Sequence, residues 1–147
     1  MLEALNRQLG RDFVGFIHSF GLLRSDTTPC GQPMSVSTAH ALCELRTGPP
    51  LNQRDLAARL GLTTSSVSRM VDQLETKTWA QRAEDPDCAD GRVRLVLLTD
   101  LGRKIADQVL EARADRFSEL LEAVPQGKRS DVLEALTLLK EAANAIA

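Results

Sequence analysis

The stretch from Asn52 to Leu74 leaves this chain the fewest choices of fold. Two short helical patterns meet there at Gly61. Leu56, Ala57 and Leu60 mark the inner face of the first, and Val67, Met70, Val71 and Leu74 that of the second. A crossing helix passes close above Ala57, so that side chain must be small. Gly61 supplies a turn where a side chain and a positive φ would conflict. Val67 falls between the two helices. A small residue, a glycine and a β-branched apolar residue at these offsets form the helix-turn-helix pattern, whose second helix enters the major groove of DNA. With the apolar set inward, Thr64, Ser65, Ser68, Arg69 and Asp72 point out. Short hydroxyls let a helix approach a duplex closely, and an arginine can bond guanine bidentately or pair with phosphate.

The flanking segments supply the rest of a mainly helical fold. Residues 2–24 carry an apolar residue every third or fourth position, from Leu2 to Leu23, and predict a helix. Pro29, Gly31 and Pro33 make Ser25–Ser35 a loop. A second helix spans about Val36–Arg46 and stops at Gly48-Pro49-Pro50. Asn52 caps the third helix, and Thr63 or Thr64 caps the fourth, which reaches about Lys77. Trp79–Ala83 and Arg92–Leu98 read as two strands around the turn formers Asp85–Gly91. Val93 and Leu95 would share one face of the return strand, and Arg92, Arg94 and Val96 the other. Such a ribbon is unstable alone and must lie against the helices as a wing. Thr99 caps a long fifth helix, about Asp100–Ala123, with Leu101, Ile105, Val109, Ala112, Phe117 and Leu120 inward. Pro125 starts a sixth, whose stripe is Val132, Leu136, Leu139, Ala143 and Ile146.

Composition narrows the function. The 147 residues are 43% hydrophobic and 26% charged, ordinary for a folded domain, and no apolar run is long enough for a transmembrane helix. Charges at Glu3, Arg7, Arg11 and Asp12 interrupt any leader-like core, so a cytoplasmic protein is expected. Net charge is −2, but from Arg46 to Lys104 there are 10 basic and 8 acidic residues. The slight basic excess sits in the helix-turn-helix region. Histidines at 18 and 40 alone give little material for a catalytic triad, and no glycine-rich phosphate loop is present, so an enzyme is not expected and no cofactor is implied. Cys30, His40 and Cys43 are candidate metal ligands of borderline softness. Cys88 on the wing is a candidate redox thiol, with arginines nearby to lower its pKa. A winged-helix module serving only protein contacts is the alternative without DNA.

Residues 36–105 resemble the MarR (multiple-antibiotic-resistance regulator) family of winged-helix repressors. The resemblance lies in Leu56–Gly61, Ser65–Glu75, Arg82–Asp87, the wing's Asp90-Gly91-Arg92, and Leu97–Gly102. The sequence departs from the family at Lys77-Thr78-Trp79, where Lys-Gly is usual, and adds Cys88-Ala89 to the wing. The resemblance implies one 147-residue chain with a winged helix-turn-helix at 36–99 and dimerisation helices at 1–24 and 100–147. It implies a homodimer on a palindromic operator and a small-molecule effector in a pocket between the two parts. In that setting Asp90 would hold the Arg92 guanidinium for the minor groove, and Arg82 and Arg94 would meet phosphates. The zinc sensors of the family would need histidines in helix five, and Asp100–Ala123 has none.

Overall fold

Side-chain caps start the central helices. The computed structural model describes residues 1–89 and 91–147. Helix α1 spans Leu2–Phe20, α2 Val36–Thr47, α3 Gln53–Leu60 and α4 Thr64–Thr76. Ser35 Oγ accepts the Thr38 N–H at 3.1 Å, Asn52 Oδ1 the Asp55 N–H at 2.8 Å, and Thr63 Oγ1 the Ser66 N–H at 3.2 Å. Each satisfies a donor that the first helical turn leaves open. Of the two threonines before α4 it is therefore Thr63 that caps, which frees Thr64 to face outward.

Left-handed residues end the helices. Gly61 closes α3 at φ 64°, and the Leu62 N–H reaches back to the Ala57 carbonyl at 3.0 Å. Gly21, at φ 85°, ends α1 at Phe20, three residues earlier than the apolar stripe suggests for its last member, Leu23. The end of α4 keeps this geometry without a glycine. Thr78 sits at φ 61°, its N–H bonds the Glu75 carbonyl at 2.9 Å, and the Trp79 N–H bonds the Leu74 carbonyl at 2.8 Å. At the Lys77-Thr78-Trp79 departure, threonine thus holds a left-handed position that favours glycine.

The sheet has three strands, not two. Strand β1 (Leu51–Asn52) joins β2 (Ala80–Glu84) and β3 (Arg94–Leu98) in the antiparallel order β1-β3-β2. Leu51 opposes Val96, and Ala80 opposes Leu98. A two-residue strand after Pro-Pro has no period to read, so only pairing reveals it. The buried face of β3 is that of Val96 and Leu98. Arg94 shares that parity but lies exposed at the strand's start.

Leu42, Leu56, Val67, Val71, Leu74, Val96 and Val109 are the fully buried centre of the core. Helix α5 (Asp100–Ala123) enters it through Gly102, Ala106 and Val109, with Ile105 partly buried. The expected inward Leu101 is exposed, because Gly102 is the residue that meets the α4–β2 turn. A Cβ on Gly102 would lie 1.8 Å from the Trp79 carbonyl oxygen. The same carbonyl accepts the Thr99 N–H at 3.0 Å, while Thr99 Oγ1 donates to the Thr78 carbonyl at 2.6 Å and accepts the Gly102 N–H at 3.0 Å.

By backbone contacts the chain forms two compact units, Met1–Arg113 and Ala114–Ala147. In the second, a 3-10 turn (Gln126–Lys128) follows Pro125, and α6 begins only at Arg129, running to Ile146. Arg129 fixes that bend by donating to the carbonyls of Val124 (3.1 Å) and Glu122 (3.2 Å). No residue of α6 is buried, and Leu133, Leu136 and Leu138 are each more than half exposed. Within the first unit, Leu2, Leu5, Leu9 and Phe13 of α1 are likewise at least half exposed.

Candidate nucleic-acid interface

Helix α4 has a sealed back and a polar front. Val67, Met70, Val71 and Leu74 are buried, and α3 packs on that side. Thr64, Ser65, Arg69 and Asp72 are exposed, and Ser68 is half-buried. At the N-terminus the Thr63 hydroxyl lies 3.3 Å from Ser65 Oγ and 2.9 Å from Ser66 Oγ. Ser66 is an exposed hydroxyl that the sequence reading passed over, although its place one turn before Met70 was visible.

Arg82 does something different from what its sequence position suggests. Its side chain is only 16% exposed, and its guanidinium is held inside the protein. It pairs with Asp72 at 2.8 Å and with Glu75, and donates to the Ser68 carbonyl at 3.3 Å. The other Glu75 oxygen accepts the Arg82 backbone N–H at 3.0 Å. So β2 is fastened to α4 by one planar cation, a task for which the guanidinium fork suits better than an ammonium. The expectation that Arg82 faces phosphate is corrected here: two carboxylates and a carbonyl already surround it. Sequence reasoning missed Glu75 as a partner, though Asp72 and Glu75 at i, i+3 mark one helix edge.

This geometry is a helix-turn-helix with a wing fastened to its second helix. Residues 34–93 match the model of the MarR family. The chain is 28% identical over 96 residues to YdgJ, an uncharacterized HTH-type transcriptional regulator of Bacillus subtilis, covering 65% of this chain and 57% of that protein. It is 33% identical over 72 residues to a second such B. subtilis regulator, YxaD, covering 49% of each. The chain thus spans about half the length of the curated relatives it matches. Among solved structures, the transcriptional repressor CouR bound to a 23-mer DNA duplex superposes with a TM-score of 0.64 at 26% identity, over 93% of this chain and 89% of that one.

The wing leaves β2 at Glu84, which opposes Arg94 in the ladder. Asp85 turns it: Asp85 Oδ1 accepts the Asp87 N–H at 2.9 Å, and its carbonyl the Cys88 N–H at 3.2 Å. Arg92 and Arg94 are both exposed. Asp90, the expected partner of Arg92, lies outside the described residues.

The sulfur and histidine candidates fall apart as a group. His40 is exposed and lies 3.4 Å from Glu44, which also pairs with Arg59 at 3.2 Å. Cys30 Sγ lies 3.0 Å from Thr28 Oγ1. Cys43 is buried, and burial raises its thiol pKa; Arg113 opposes this, while Cys30 and Glu44 add to it. A raised thiol is a poor nucleophile and a poor metal ligand at neutral pH. Among the described residues no three His, Cys, Asp or Glu side chains are grouped to hold a metal ion. Among the same residues no helix is long and apolar enough to cross a membrane.

Proposed function

We propose that this chain is a DNA-binding transcriptional regulator of the MarR family rather than an enzyme. It works in the cytoplasm as a homodimer, represses from a palindromic operator and is released by a small-molecule effector. One observation carries the reading: α4 buries its whole apolar side and presents Thr64, Ser65, Ser68 and Arg69 on the other. A helix so built has nothing apolar to dock on a protein and much that bonds base edges and phosphates. The likeness to YdgJ and YxaD, both uncharacterized HTH-type transcriptional regulators, and to CouR, seen bound to a DNA duplex, supports it.

The parts divide as follows. Residues 36–99 bind DNA, with Thr64, Ser65, Ser68 and Arg69 in the major groove. Asp90 and Arg92 serve the minor groove, Arg94 meets phosphate, and Arg82 acts through α4. Residues 1–24 and 100–147 hold the dimer, because the exposed leucines of α1 and of α6 need cover. The test is a gel-shift series on genomic fragments upstream of the protein's own gene. A retarded band that weakens steeply with salt, and footprints of two half-sites about one helical turn (~34 Å) apart, are expected. No retarded fragment at low salt would overturn the reading in favour of a protein-contact module.

A further inference from the structure

The front of α4 carries an acid beside its hydroxyls and Arg69. Asp72 stands one turn after Arg69 and two turns after Ser65, and shares their exposed face. Its side chain is 64% exposed, against 35% for Glu75, the other carboxylate on Arg82. An unpaired carboxylate at that place would repel the phosphates of a duplex. Asp72 is paired: its Oδ1 meets the Arg82 guanidinium at 2.8 Å. The charge is thus offset from the side of β2 while the group stays at the surface. A carboxylate has about four acceptor sites and no hydrogen to donate, so an ion pair through Oδ1 leaves Oδ2 for another donor.

A group that accepts and cannot donate is selective among base edges. In the major groove guanine shows two acceptors, thymine an acceptor and a methyl group, and adenine an acceptor beside its amino group. Cytosine alone offers an amino donor with no acceptor. We propose that Asp72 is a specificity-determining residue, its carboxylate accepting from N4 of a cytosine in each half-site. Arg69, which can only donate, suits the guanine of that pair or of its neighbour. This role rests on α4 entering the major groove, as the regulator reading holds. Arg82 offsets the charge and does not read: the reach comes from the short side chain of Asp72 itself.

The test is selection of bound duplexes from a randomised pool by the full chain, followed by sequencing of what is retained. Wild type should favour a C·G pair about tenfold at one position of each half-site. Asp72→Asn should keep its helical circular dichroism, because the amide oxygen still accepts from Arg82. It should move that one preference to A·T, since an amide bonds adenine at both N6 and N7. With a negative charge gone, it should also hold the whole pool more tightly at low salt. Glu75→Gln is the control: it loosens the same cation and should scale all retained sequences alike. Should Asp72→Asn fail to fold, Asp72→Ala decides in its place, by losing the C·G preference without gaining another. Wild-type retention with base preferences that the Asp72 variant leaves unchanged, or that Glu75→Gln alters in the same way, overturns the role of Asp72 while the regulator reading stands. No retention at low salt overturns both.

Discussion

Arg69 and Arg82 stand thirteen positions apart in the sequence and serve the same helix in different ways. Arg69 is exposed on the front of α4. If it reads a base edge, Arg69→Ala should cost about 1–3 kcal/mol at one base position per half-site, seen in a binding series on single-base operator variants. Arg82 is largely buried and neutralises Asp72 and Glu75, two carboxylates on α4. Arg82→Ala leaves both uncompensated and frees β2 from α4. It should destabilise the fold by roughly 1–3 kcal/mol and weaken all operator variants alike, with the salt slope unchanged. A phosphate contact would instead reduce that slope by about one, so two salt concentrations separate the roles. Arg82→Lys should rescue little, since an ammonium cannot span two carboxylates and a carbonyl. Thr78 invites the opposite change. At φ 61° it bears a β-branched side chain in left-handed backbone, which costs about 1–2 kcal/mol. Glycine there would regain most of this and lose part through its freer unfolded chain, so Thr78→Gly should raise stability by about 0.5 kcal/mol in urea titrations.

Helix α5 is seated by a few backbone contacts at its start. Thr99 caps it and at the same time bonds the turn after α4, and Gly102 lies against the Trp79 carbonyl with no room for a methyl group. That carbonyl cannot move aside, since it accepts the Thr99 N–H. Gly102→Ala should therefore cost about 3 kcal/mol or more and lower Tm by about 10 °C in calorimetry, although alanine ordinarily favours helix. A wild-type Tm for this variant would mean that α5 docks elsewhere. Helix α4 is positioned by the same contacts, because the turn at its C-terminal end is the surface on which α5 rests.

At the scale of the whole molecule, most of the large apolar side chains of α1 and of α6 are exposed in the single chain. A homodimer covers them in the proposed reading. Leu5→Lys with Phe13→Lys should then convert the protein to a monomer in light scattering and abolish operator binding, while the buried core of residues 34–109 keeps its helical signal. A folded wild-type monomer at micromolar concentration would contradict the dimer directly.

Much of this was already determined by local chemistry. Asn52 caps because a short side-chain oxygen stands just before an apolar period, a threonine was expected to cap α4 for the same reason, and Gly61 turns because only glycine adopts that φ cheaply. The buried set of α4 followed from its 3.6-residue period, and the outward residues followed by subtraction. What the chain could not disclose involves partners distant in sequence. The two-residue strand at Leu51 exists only by pairing with Val96, and the inward face of α5 depends on a carbonyl 23 positions before Gly102. The glycine-like turn at Thr78 is held open by tertiary contacts against its own propensity. Arg82 carries the same charge whether it meets phosphate or carboxylate, and only the approach of α4 to β2 brings Asp72 and Glu75 within reach of its guanidinium.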